Sequence, residues 1–311
     1  MTNHTHHHTR NHNHRHQPVN ERNLLTVTLM NLLITAVEVS GGLLSGSIAL
    51  MSDALHNLSD TFATFIAYMA TLIGKKEASS KKTFGYKRIE ILAALLNAII
   101  LLIISLYLIK EAYVRLKNPQ AVNSMIMMVV AMIGLLANIY GVVILKKDAG
   151  KSLNVKAAYI HLLGDAFSSV LVVAGGLLIQ FRQIYWIDPA ITVLISIYII
   201  REAFVILKES VRILMQSAPD QLDLDQIKKR IEEDSSVSNI HHIHVWMLTD
   251  QEIHFEAHVE ILEDLKLSQV RKTQQAIESV LKREFRINHV TLQFEYHSKH
   301  TPHLIHKEEE Q

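Results

Sequence analysis

Six apolar runs fill most of residues 24–207 and leave few folds open to the chain. A bilayer core about 30 Å thick is crossed by about 20 apolar residues in a helix. Residues 24–44, 48–73, 89–109, 125–145, 157–181 and 189–207 are all of about that length. The five prolines fall in tails or loops or, as Pro189 does, at a helix start, where a missing N–H does least harm. The first run is too long for a signal-peptide core and lacks a clear cleavage site, so it reads as a retained span. Lys and Arg number thirteen in the N-terminal tail and the loops after spans two and four, against four in the opposite loops. The positive-inside bias then places both termini in the cytoplasm. The expectation is a multi-pass protein of the cell membrane, inner or plasma, in contact with lipid.

Residues 213–311 hold most of the Asp, Glu and His and read as a soluble domain. The expected organisation is a disordered His-rich cytoplasmic tail at 1–22, a six-helix transmembrane domain at 23–212, a cytoplasmic α+β domain at 213–298 and a His-containing tail at 299–311. A net charge of +1 argues against a nucleic-acid partner. The chain has no cysteine, so any metal must be held by imidazole and carboxylate groups, which suit zinc, cobalt or nickel better than cuprous copper.

Span two carries His56 and Asp60, and span five carries His161 and Asp165. In each pair the residues lie four apart, so they share one helical face one turn apart. At a rise of about 1.5 Å per residue, His56 lies about 12 Å and Asp60 about 18 Å below the outer boundary. On the same scale His161 lies about 16 Å and Asp165 about 10 Å below it. Ionisable groups at that depth mark a functional site by default. One pair alone reads equally well as a structural contact between helices, whereas two copies at matching depth favour a bound dication. Glu38, Asn97, Asn138 and Ser168 read as bonds between helices, and Asp53, one turn from His56, as a candidate path residue. Gly41, Gly42, Gly175 and Gly176 suit close or hinging helix contacts.

Beyond Pro219, periodicity predicts a helix at 223–237, strands at 240–248 and 252–262, a helix at 267–285 and a strand at 289–296. That order, α-β-β-α-β, makes a small α+β domain. An intramembrane metalloprotease would need His-Glu-x-x-His, which does not occur. The histidines at 4–16 lack a helical frame and precede every span, so they do not form the histidine boxes of a membrane di-iron enzyme. A non-transporting metal sensor or scaffold is the other alternative.

The chain resembles the cation diffusion facilitator family, in its bacterial zinc, cadmium and cobalt exporting branch. The resemblance rests on Ser52-Asp53-Ala54-Leu55-His56-Asn57-Leu58-Ser59-Asp60, on Phe84-Gly85-Tyr86-Lys87-Arg88-Ile89-Glu90, and on His161-Leu162-Leu163-Gly164-Asp165. It covers residues 23 to about 297. It implies a homodimer and a tetrahedral transport site at His56, Asp60, His161 and Asp165. It also implies antiport of a divalent metal, Zn2+ first, against protons, with no enzymatic activity and no organic cofactor. The soluble domain is then similar to a metallochaperone, or ferredoxin-like, fold. There the resemblance places a regulatory metal at His244, His258 and Glu295, while Arg271 and Gln293 depart from the His found in some relatives. The loop 75–82 has neither His nor Asp, so the interfacial site of some relatives is expected to be missing.

Overall fold

The computed structural model describes residues 21–74, 78–146 and 153–296. Both His-bearing tails, together with Lys75 and Lys76, lie outside those residues. Six long helices come first: α1 (Glu21–Ser45), α2 (Ile48–Gly74), α3 (Ile89–Lys117), α4 (Ser124–Lys146), α5 (Leu153–Arg182) and α6 (Ile187–Leu214). They are followed by α7 (Leu224–Glu232), β1 (Val237–Met247), β2 (Ile253–Ile261), α8 (Leu267–Glu284) and β3 (His289–Glu295). The chain falls into two compact units, Met1–Phe62 with Ile103–Ile200, and Ala63–Leu102 with Arg201–Gln311.

Among the described residues, Ile89–Lys117, Ser124–Lys146, Tyr159–Arg182 and Ile187–Leu214 are long and apolar enough to cross a membrane by length and composition. In the first unit polar side chains share the interior with apolar ones, and large apolar side chains also face outward. Ser52, Asn57, Ser105, Asn138, Ser169, Thr192 and Ser196 are buried, while Tyr107, Phe167 and Phe181 point outward. Lipid tails are as apolar as leucine, so such helices associate through small and polar groups rather than through greasy ones. Gly41 illustrates this, because a Cβ there would come within 2.6 Å of Val130 Cγ2 where α1 packs on α4. The turn between α1 and α2 is bound from several sides. Arg115 Nη1 donates to Gly46 O at 2.5 Å, and Asn123 N donates to Ser45 O at 2.8 Å.

The second unit contains a three-stranded sheet in the order β1-β2-β3. β1 and β2 form an antiparallel hairpin, and β3 runs parallel to β2 after the crossover through α8. One face of the sheet packs on α7 and α8 through Ile227, Ile231, Ile240, Val245, Phe255 and Leu281. Asp223 caps α7 by accepting from the N–H groups of Asp225 and Gln226 at 2.9 and 3.2 Å, as an N-cap carboxylate should. α7 stops at Glu232, short of the predicted 237, because Asp234 Oδ1 accepts from the N–H and hydroxyl of Ser236 and turns the chain into β1.

Within this unit the segment before α3 is tied to the hairpin. Lys87 Nζ donates to both carboxylate oxygens of Glu252, at 2.9 and 2.6 Å. Phe84 packs edge-on against His254, with centroids 5.4 Å apart. His254 is buried, with Trp246 stacked on it at 5.2 Å and His289 at 4.7 Å. Burial holds the His254 imidazole below the ordinary histidine range; the neighbouring His289 and Lys87 push the same way, and Glu252 offsets them only in part. The fold therefore favours neutral His254, and the unfolded chain takes up the proton first as pH falls. This contribution to stability is present above the ordinary histidine pKa of about 6.5 and is lost as pH falls through the depressed folded value. Burial of Glu252 would raise its pKa, but the bond and charge of Lys87 win and hold it below the usual carboxylate range, so its effect is lost only in more acid solution. Thermal unfolding of the soluble part, followed by Trp246 fluorescence, should lose stability between pH 7 and 5.5. In His254→Phe that slope should be shallower, and an unchanged slope would refute the assignment.

Candidate metal centre

Helices α2 and α5 each contribute one imidazole and one carboxylate to a single cluster. His56 Nε2 lies 3.4 Å from Asp60 Oδ2 and 3.8 Å from Asp165 Oδ1. His161 Nε2 lies 3.4 Å from Asp60 Oδ2 and 3.4 Å from Asp165 Oδ2. Each ring thus reaches the carboxylate of its own helix and that of the other. The two rings stand edge-on, with centroids 5.9 Å apart. Donor atoms at the corners of a tetrahedron with bonds of about 2.0–2.1 Å are about 3.3–3.4 Å apart. Three of the four nitrogen–oxygen separations have that length, and the fourth is slightly longer. His56 and Asp165 are buried, whereas Asp60 and His161 are partly exposed, so the cluster has a closed side and an open side. Neither ring nitrogen of His56 has a hydrogen-bond partner among the described residues, which is what a buried imidazole awaiting a cation would show.

Polar contacts on neighbouring turns hold α2 in place. Ser168 and Ser169 of α5 donate to the two oxygens of buried Asp53, at 2.5 and 3.4 Å. Asp53 therefore bridges α2 to α5 one turn before His56. Asn57 Nδ2 donates to Glu38 Oε2 at 2.7 Å, joining α2 to α1, and both side chains are fully buried. Glu38 Oε1 is pressed against Gly134 of α4, where any Cβ would collide with it. Tyr198 of α6 adds an edge-on ring 6.2 Å from His56. Nothing in the sequence singles out Tyr198, because one aromatic in an apolar span carries no distinguishing signal.

A second cluster lies on the sheet. His241, His258 and Glu295 offer ligand atoms that all lie within 4.8 Å of one another. His258 Nδ1 is 2.8 Å from Glu295 Oε1, and His241 Nε2 is 3.6 Å from Glu295 Oε2. Of the expected set, His258 and Glu295 lie together here, and His241 rather than His244 is the third residue grouped with them. A bulge separates His241 from His244, with His242 in the left-handed region at φ 52°. The extra residue leaves His241 opposite His258 and His244 opposite Glu256, two residues along β2, where it is exposed. Strict alternation cannot reveal a bulge. Gln293 lies directly opposite His258 and donates to Glu295 Oε1 at 2.8 Å.

Comparison with known proteins agrees with this architecture. The profile of the cation efflux transmembrane domain matches residues 24–215, and that of the cation efflux protein cytoplasmic domain matches residues 219–297. The metal cation efflux system protein CzcD of Cupriavidus metallidurans is 38% identical over 280 residues, covering 90% of this chain and 88% of that protein. The cadmium, cobalt and zinc/H(+)-K(+) antiporter of Bacillus subtilis is 35% identical over 278 residues, 89% of each. The zinc transporter ZitB of Escherichia coli is 36% identical over 307 residues, covering 96% of this chain and 94% of that one. The chain belongs to the cation diffusion facilitator family, a family of multi-pass membrane transporters and not of enzymes.

The Glu38–Asn57 bond can be tested by itself. Asn57→Leu leaves a buried carboxyl without its donor and should cost about 1–3 kcal/mol. This is read as a lower melting temperature of the lipid-reconstituted protein, and an unchanged or higher value would contradict the packing described.

Proposed function

We propose that the protein exports divalent cations, zinc foremost with cadmium, cobalt and nickel as further substrates, from the cytoplasm in exchange for protons. The observation that carries this reading is the crossed cluster inside the helical unit, in which ligand atoms of His56, Asp60 and His161 all lie within 4.8 Å of one another and Asp165 reaches both rings. Two carboxylates neutralise a dication, and two imidazoles supply the nitrogen donors that zinc accepts. Thiolates would bind zinc more tightly and slow its release, and none is present. Imidazole binds metal only as the neutral base and changes charge in the physiological pH range. Protonation of His56 and His161 from the far side of the membrane therefore expels the cation, and deprotonation on the cytoplasmic side restores the site. The names of relatives, a zinc transporter and a cadmium, cobalt and zinc/H(+)-K(+) antiporter, support the same assignment.

In this reading residues 23–212 form the transport domain of a plasma- or inner-membrane protein with both termini in the cytoplasm. Residues 213–298 form a cytoplasmic domain through which two copies pair, which the match to a family of cytoplasmic efflux domains supports. Asp53 lines the path beside the site. Two imidazoles and a carboxylate are a zinc-type donor set, so His241, His258 and Glu295 fit a resident regulatory zinc.

Two experiments test the two sites. Purified protein in vesicles under an imposed pH gradient should move zinc against protons, and His56→Ala and Asp165→Ala, each verified as folded, should lower the rate at least a hundredfold. Transport by either variant at the unmodified rate would overturn the assignment. For the sheet cluster, equilibrium dialysis should show His241→Ala binding less zinc than the unmodified protein, and His244→Ala binding as much. The reverse order would favour the set that the family resemblance implies.

A further inference from the structure

The first turn of α6 touches both helices that carry the four-ligand cluster. Asp188 lies there, fully buried. Its carboxylate accepts from the Ser47 hydroxyl, from Ile48 N at 3.0 Å and from Ala49 N at 3.3 Å. Ser47 Oγ in turn accepts from Leu50 N at 3.0 Å. The N–H groups that open α2, which no residue within the helix can satisfy, are thus taken up by a carboxylate from another helix and by the serine it holds. A negative charge at that end also complements the helix dipole. The same turn of α6 is pressed onto α5 at Gly175, where an added Cβ would collide with Ile191 and come within 3.4 Å of Ile187 Cγ2.

A helix behaves as a rod over this distance. His56 and Asp60 stand about 12 Å and 18 Å along α2 from the held turn at about 1.5 Å per residue. Any tilt or slip of that end is carried to the ligands, and a misplacement of about 1 Å is enough to spoil a preorganised site. We propose that Asp188 is a positioning residue for the metal site: through the first turn of α2 it sets the depth and facing of His56 and Asp60 relative to His161 and Asp165 on α5. The inference rests on the reading of those four residues as metal ligands.

The test is a Co(II) titration of the full chain, made with His241→Ala and Glu295→Gln so that the sheet cluster does not contribute. The visible bands of tetrahedral Co(II) report the geometry of the site directly. Asp188→Asn keeps the side-chain shape but turns an amide N–H toward the N–H groups of α2. It should weaken Co(II) binding at least tenfold and reduce the band intensity in protein that is folded by circular dichroism and gel filtration. In vesicles it should raise the half-saturating zinc concentration more than it lowers the maximal rate. Ser47→Ala and Gly175→Ala should shift affinity in the same direction by a few fold. A purely structural role would lower the melting temperature while leaving the bands and affinity of the folded protein unchanged, and that result would overturn the proposal. If Asp188→Asn does not fold, unchanged spectra in both Ser47→Ala and Gly175→Ala overturn it as well. Asp60→Ala serves as the separate control: bands that survive it would place the Co(II) elsewhere and remove the ligand reading itself, together with this inference.

Discussion

Two carboxylates and two imidazoles drawn into the interior of a helical bundle are the constraint around which the rest of the first unit is arranged. Ionisable groups in so apolar a setting are costly unless they face one another or a bound ion. The structure meets that cost by crossing the pairs, so that each ring sees the carboxylate of its own helix and that of its neighbour. The arrangement requires α2 and α5 to meet at a fixed height. Asp53 with Ser168, Asn57 with Glu38, and Asp188 with the opening turn of α2 are the buried contacts that hold α2 there. Every one of them joins α2 to another helix.

The sheet domain shows the same economy of donors on a scaffold of different period. Its packed face is wholly aliphatic and aromatic and rests on α7 and α8, which leaves the other face free for polar chemistry. On that open face the β1 bulge sets His241 against His258, and the parallel pairing of β3 brings Glu295 diagonally to them. A bulge costs one ladder position and re-aims a side chain. Here the re-aimed residue is one of three that could ligate zinc. At the other end of the hairpin, His254 is enclosed by Trp246, His289 and Phe84 and takes no part in that cluster.

Much of this is legible from residue order alone. The spans are visible because a run of about twenty apolar residues has few other uses, and each His-x-x-x-Asp pair because a separation of four fixes a shared helical face. The order of helices and strands after Pro219 follows from the switch between periods of 3.6 and 2. What stays hidden depends on contacts between elements distant in sequence. Asp188 reads as an ordinary acidic residue at the start of its own helix, yet it caps α2, about 140 positions earlier. His241 and His244 are equally good strand histidines until the left-handed residue between them is known. The early end of α7 turns on one aspartate that bonds Ser236 rather than continuing the helix.

X-ray absorption at the zinc edge, on protein carrying His241→Ala and Glu295→Gln and loaded with one equivalent of metal, reads the coordination shell of the helical site itself. Four nitrogen or oxygen neighbours at about 2.0–2.1 Å are expected, with the outer-shell pattern of two imidazoles that falls to one in His161→Ala. A six-coordinate, all-oxygen shell, or an imidazole pattern that His161→Ala leaves untouched, would contradict that expectation.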